Sequence, residues 1–243
     1  MIGLKNMEII RNLNEEILKQ EAGAYLSSLL MKMESEPALI LFSSGSALEI
    51  LMHVKAPENM SNLTLGVLDE RFTKDPKENN FATLKETSFF KNAVAKGARA
   101  IDTSMRFERV ETLATTMEQA WRKWIEENPI GHVLGTFGMG VDGHTAGIMP
   151  YPEDAGMFEI LFEDERRAVV GYDARGKNPI PLRATVTLPF LRKHVTGGVG
   201  YVTGISKRPA LERALAQSGT YAETPARVFN DIQTFALFTD IML

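Results

Sequence analysis

Hydrophobic positions along the chain change period repeatedly, and each change marks an element. Leu18, Ala22, Tyr25, Leu29 and Met33 recur at three- and four-residue spacing, which predicts a helix from Asn14 to Met33 started by Asn14. Ala38 to Phe42 is apolar throughout, the pattern of a strand buried on both faces of a parallel sheet. A turn of small residues, Ser43-Ser44-Gly45-Ser46-Ala47, leads from it into a helix reaching about Val54. Leu63 to Leu68 predicts a second strand, and Ala98 to Ile101 a brief third. Between them, Phe81 to Phe90 and Lys91 to Lys96 read as short helices with Asn79 or Asn80 as the cap. From Glu108 to Glu127 an apolar face of Leu113, Met117, Ala120, Trp121 and Trp124 predicts an amphipathic helix, with Pro129 just past its end. Both tryptophans read as core.

His132 to Phe137 predicts a strand, whereas Pro150 to Glu165 is acidic, lacks a clean period and reads as irregular. Strands are predicted again at Arg167 to Tyr172, Arg183 to Leu188, Val199 to Thr203 and Thr234 to Thr239. Among them lie a turn-rich loop from Ala174 to Pro181 and a helical turn from Pro189 to Lys193. A helix capped by Ser206 runs to about Gln217, and a helical stretch covers Ala222 to Asn230. Strands alternating with helices over the whole length predict an α/β fold: a doubly wound, mostly parallel sheet flanked by helices, with a few antiparallel strands near Arg183. No linker-like shift of composition interrupts residues 1–243, so a single domain is expected.

Composition narrows the function classes. Hydrophobic residues are 44% and charged residues 24% of the chain, ordinary values for a globular protein. No apolar run reaches the roughly 18 residues of a membrane span, and the first twenty residues mix acids and bases without a signal-peptide core. No membrane partner and a cytoplasmic location are therefore expected. The chain has no cysteine, which rules out thiolate nucleophiles, disulfides and cysteine-based metal sites. The net charge is −4 and no basic run appears, so nucleic acid is not an expected partner. An anionic metabolite would need a locally cationic pocket.

Candidate chemistry gathers at three predicted strand ends. The serine turn places Ser43, Ser44, Gly45 and Ser46 where backbone N–H groups meet an anion, though an ordinary capped helix has the same pattern. Asp69-Glu70-Arg71 follows the second strand at the carboxyl edge of the sheet, where open α/β folds hold ligands. Gly135 to Pro150 (GTFGMGVDGHTAGIMP) is a glycine-rich loop carrying Asp142 and His144, two groups able to trade protons near neutral pH. Arg183 and Lys207, both at strand boundaries, supply the positive charge. The histidines His53, His132 and His194 show no ligand spacing with carboxylates, so no metal is expected. Neither G-x-G-x-x-G nor a P-loop appears, so no nucleotide cofactor is expected either.

In this combination the sequence resembles the 6-phosphogluconolactonases of the glucosamine-6-phosphate isomerase/6-phosphogluconolactonase superfamily. Five blocks carry the resemblance. They are Ser43 to Leu48, Asp69-Glu70-Arg71 with Asn80, Gly138 to Ala146 with Pro150, Arg183-Ala184-Thr185-Val186-Thr187, and Gly204 with Lys207. The resemblance implies a Rossmann-like, phosphosugar isomerase-like fold. It also implies hydrolysis of 6-phosphoglucono-δ-lactone to 6-phosphogluconate in the pentose phosphate pathway, without a cofactor, by a monomer or small homo-oligomer. His144 is then the base that activates water, Asp142 or Asp69 orients it or the sugar hydroxyls, and Arg183 and Lys207 hold the phosphate. Gly45 and Ser46 complete that phosphate cradle, and Arg71 is a second-tier ligand for the substrate's polar end.

Two other readings stand beside it. A glucosamine-6-phosphate deaminase carries a glutamate before the loop proline, where this chain has Met149. Thr145 and Asp-Glu-Arg, in place of isoleucine and Asp-Glu-Tyr, also favour the lactonase branch. A non-catalytic phosphosugar-binding regulator is favoured only by the altered anion turn, in which Ser44, Ala47 and Leu48 replace the family's glycine, threonine and proline.

Overall fold

The computed structural model describes residues 6–33 and 35–243. In chain order the first half comprises β1 (Asn6–Arg11), α1 (Glu15–Lys32), β2 (Ala38–Phe42), α2 (Ser46–Glu49), β3 (Leu63–Val67), β4 (Asp69–Arg71), α3 (Asn80–Glu86), α4 (Ser88–Ala95), β5 (Arg99–Ala100) and α5 (Val110–Glu127). The second half adds β6 (His132–Phe137), α6 (Ala155–Phe162), β7 (Val169–Asp173), β8 (Leu182–Val186), α7 (Leu188–His194), β9 (Val195–Val202), α8 (Arg208–Leu215) and β10 (Thr234–Thr239). Short 3-10 turns cover Ile50–His53, Ile205–Lys207 and Pro225–Asp231.

Seven strands form one wholly parallel sheet in the order β1-β10-β9-β6-β2-β3-β5. The predicted antiparallel strands do not extend it; β4, β8 and β7 make a separate three-stranded sheet. All five residues of both β2 and β3 are buried, which explains the unbroken apolar run of β2; in β3 the one polar side chain, Thr64, is buried with a hydrogen bond from Trp124. From β2 the chain builds outward to β3 and β5 on one side, and later from β6 through β9 and β10 on the other. The crevice between the carboxyl ends of β2 and β6 is thus the topological switch point, the place where such sheets bind ligands.

Several helix ends follow their sequence signals. Asn14 accepts from the backbone N–H groups of Glu16 and Ile17, and Asn79 from that of Ala82. Thr87, inside the run predicted as one helix to Phe90, instead caps α4 through the Phe90 N–H and divides the run there. Ser206 caps nothing: it lies inside the Ile205–Lys207 turn, and α8 starts at Arg208 without a side-chain cap. Trp121 and Trp124 are buried as expected, Trp124 donating from Nε1 to Thr64 at 3.0 Å.

Besides β4, whose charged triplet shows no strand pattern, three elements departed from the periodicity. β1 is an edge strand with charged Glu8 and Arg11, paired in parallel with β10 from Asn6↔Thr234 to Arg11↔Thr239. The segment from Pro150 to Glu165 holds α6, capped by Asp154 and too short to display a period, with Phe158 and Phe162 buried. β9 begins four residues before its predicted start because its first half is glycine-rich. A Cβ on Gly198 would lie 2.8 Å from Phe235 and 3.1 Å from Phe137, so the rings of Phe137 and Phe235, with Phe229 packed on both, occupy the space its side chain would need.

Candidate active site

The loop after β6 is folded around one imidazole. Asp142 Oδ1 lies 2.6 Å from His144 Nδ1 and also accepts the His144 backbone N–H at 3.1 Å. A carboxylate only accepts, so the neutral ring carries its proton on Nδ1 and leaves the Nε2 lone pair free. Burial pushes the Asp142 carboxyl up, but its bonds to the His144 ring and backbone outweigh this and hold it below the ordinary carboxylate range. The sign of that shift keeps Asp142 ionised at neutral pH. Its contribution to the loop is complete above the ordinary aspartate range and is lost only as pH falls through the depressed value.

The tight turn depends on Gly140. A Cβ there would meet His144 Nδ1 at 2.2 Å and Asp142 Oδ1 at 2.6 Å. Gly140 N–H donates to the His144 carbonyl at 2.9 Å, and Gly143, at φ +90°, donates back to Gly140 at 3.0 Å. Gly140→Ala is therefore expected to push the Asp142–His144 pair out of place. The loss of turnover should be about 100-fold, the scale of a 1 Å misplacement, with far less effect on the melting temperature.

Further along, the loop is tied to the small antiparallel sheet. Thr145 donates to the Gly138 carbonyl at 2.7 Å, Thr185 on β8 to the Ala146 carbonyl, and Tyr172 on β7 to the Gly147 carbonyl. Ala146 has φ +50°, a conformation that L-residues rarely adopt. The second sheet is thus a clamp for the loop that carries the histidine.

β4 carries the charged triplet, and its three residues take three different roles. Asp69 Oδ2 pairs with Arg183 Nη1 at 2.8 Å, both side chains being 5% exposed. Glu70 is fully buried and accepts from the N–H groups of Arg71, Asn80 and Phe81 and from the Thr103 hydroxyl, which ties β4 to the start of α3. Burial pushes its carboxyl up to about 7 against those four bonds, which favour the charged form. Arg71 donates to Ser44 Oγ at 3.3 Å and to the Glu78 carbonyl at 3.4 Å.

The histidine loop and β4 border a cleft of about 390 Å³ at the switch point. Ser43, Ser44, Gly45, Ser46, Asp69, Arg71, His144, Arg183 and Lys207 line it, and Asp142 stands behind His144. Of the two aspartates considered as partners for the histidine, Asp142 is the one that bonds it. Asp69 is occupied by Arg183. Ser43 Oγ is buried without a hydrogen-bond partner, and Gly45 has φ +70° with open space where a Cβ would be. Lys207 is half-buried; burial lowers its pKa against the opposing pull of the Asp240 carboxylate, and no carboxylate among the described residues is in ion-pair contact with it. Asn178 also lines the cleft and accepts from Arg183 Nη2 at 2.9 Å. Its loop reads only as turn-forming in sequence; the one signal is its nearness to Arg183. Among the described residues no group of three or more histidine and acidic side chains could hold a metal ion.

Residues 13–237 match the family model of glucosamine-6-phosphate isomerases/6-phosphogluconolactonase. The chain belongs to that family. No curated protein matches the sequence. Among solved structures, a 6-phosphogluconolactonase from Shewanella baltica superposes with a TM-score of 0.71 at 18% identity, covering 98% of this chain and 99% of that one. The 6-phosphogluconolactonase of Trypanosoma brucei gives 0.72 at 16% identity, covering 96% of each. A monomeric glucosamine-6-phosphate deaminase gives 0.62 at 15% identity, covering 96% of this chain and 97% of that one. At such identities the likeness establishes the shared fold, and the chemistry rests on the residues of the cleft. Among the described residues no helix is long and apolar enough to cross a membrane.

Proposed function

We propose that this family member hydrolyses 6-phosphoglucono-δ-lactone to 6-phosphogluconate. The observation that carries the reading is the Asp142–His144 pair beside a cation-lined cleft. His144 Nε2 takes a proton from a water that attacks the lactone carbonyl, and Asp142 stabilises the imidazolium that forms. Collapse of the tetrahedral intermediate breaks the ring C–O bond, and the imidazolium returns the proton to the departing ring oxygen.

Arg71 and Lys207 hold the phosphate in this reading, with the N–H groups of Gly45 and Ser46 beside them. Arg183 contributes less charge than its sequence position implies, because Asp69 neutralises it. Its role is to brace Asp69 and Asn178 at the cleft wall. Ser43 Oγ, buried and unpartnered, is a ready partner for a substrate hydroxyl.

Met149 argues against the deaminase alternative. It is fully buried and lies outside the cleft lining, so this position offers neither a carboxylate nor contact with a bound sugar. The test is lactone disappearance followed near pH 6.5 against a buffer blank, with glucosamine-6-phosphate as the competing substrate. Turnover of the lactone alone supports the proposal, and ammonia release from the amino sugar overturns it. Lys207→Ala is expected to raise KM about tenfold or more, the scale of one lost charge-assisted contact, while leaving kcat nearly unchanged.

A further inference from the structure

Behind Arg71 lies a second cavity, about 880 Å³ against about 390 Å³ for the first, and Arg71 is the one residue that lines both. Its walls come from the loop after β4 and from the segment between β5 and α5. Phe72 and Phe107, both half-buried, contribute aromatic surface, and Leu113 and Leu182 apolar surface. Lys74 and Arg106 are exposed at it, and no carboxylate among the described residues pairs with either; Glu108 is the single acid in the lining. The segment before α5 is anchored: Lys85 bonds Asp102 at 3.0 Å and Ser104 at 2.8 Å, and Thr103 bonds Glu70 at 2.7 Å.

The proposed reaction uses none of this except Arg71. Aromatic walls with unpaired cations beside them fit a small anion that carries a planar ring, since the ring gains burial and stacking while the anion pairs with lysine and arginine. We infer that this cavity is a second binding site, for a ring-bearing phosphate of the nucleoside monophosphate class, coupled to the first cleft through Arg71. The coupling is short. Arg71 reaches Ser44 on the first cleft with its side chain, and its backbone N–H bonds Glu70, which also holds Thr103 on the wall of the second.

The test is calorimetric titration of the full chain with AMP, UMP and phenyl phosphate, with adenosine and inorganic phosphate as the separated halves. The three ring-bearing phosphates are expected to bind, and each half alone to bind at least about tenfold more weakly. Lys74→Glu and Arg106→Glu, both on exposed positions, should each weaken AMP by about tenfold or more with unchanged thermal melts. Saturating 6-phosphogluconate should shift the AMP affinity by about 5–150-fold without abolishing binding, and AMP should shift the phosphogluconate affinity by the same factor. That last arm alone rests on the lactonase reading. Phosphogluconate failing to bind while AMP still binds would count against that reading and leave the second site standing. No binding of any ring-bearing phosphate at millimolar concentration overturns the site. Indifference of AMP to both charge reversals, or full competition by phosphogluconate, also overturns it by placing AMP in the first cleft. Identical affinities with and without phosphogluconate overturn the coupling.

Discussion

His144→Ala is expected to lower kcat for 6-phosphogluconolactone hydrolysis by about 10²–10⁴-fold, the range a positioned general base supplies, while product affinity persists. The fold should tolerate the change. The imidazole is 32% exposed, and the loop keeps its other ties through Thr145, Thr185 and Tyr172. Asp142→Asn should follow the same course by a different route. An amide N–H can donate to Nδ1, which forces the ring proton onto Nε2 and removes the lone pair that accepts from water. Initial rates corrected for spontaneous hydrolysis, together with phosphogluconate titration of each variant, separate the two effects. Full activity in His144→Ala would move the base elsewhere. Loss of product binding in the same variant would make the histidine a ligand rather than a base.

The contrast between what the sequence announces and what it conceals follows from the reach of each interaction. β2 is apolar throughout, β10 is apolar between its two end threonines, and β6 is interrupted inside only by Gly135 and Thr136; all three lie inside the parallel sheet, and their bounds agree with the pattern to the residue. The neighbouring strand β9 is equally interior but hides its apolar character, since its partners are aromatic rings from Phe137 and Phe235 rather than its own side chains. Within the site, the residues that sit on short loops after strands are legible: the serine turn, Asp142 and His144 all reach the cleft or stand directly behind it. Pairings across long sequence separations are not. Nothing local marks that Asp69 belongs to Arg183, 114 positions away, or that Tyr172 clamps the Gly147 carbonyl. Ser44 shows the same limit. As a departure from the family turn it suggests only a lost glycine, whereas its hydroxyl accepts a hydrogen bond from the Arg71 guanidinium.

The pairing of Asp69 with Arg183 also carries the largest expected effect on stability. Both side chains are 5% exposed, so each charge depends on the other for the solvation that water no longer supplies. Asp69→Asn keeps the volume, along with the backbone carbonyl that accepts from Asn80, but leaves the guanidinium buried without a counter-charge. A loss of about 3–5 kcal/mol is expected for such a broken pair. For a chain of this length that corresponds to a fall in melting temperature of about 6–20 °C. The double variant Asp69→Leu with Arg183→Met removes both charges at similar volume and should recover most of the loss, because two missing charges leave nothing unsolvated. Melting curves of the two variants beside wild type decide the matter. If Asp69→Asn melts with wild type, Arg183 is drawing its solvation from the cleft rather than from Asp69. The guanidinium would then be open to an incoming phosphate, and Arg183 would rejoin Arg71 and Lys207 as a principal ligand.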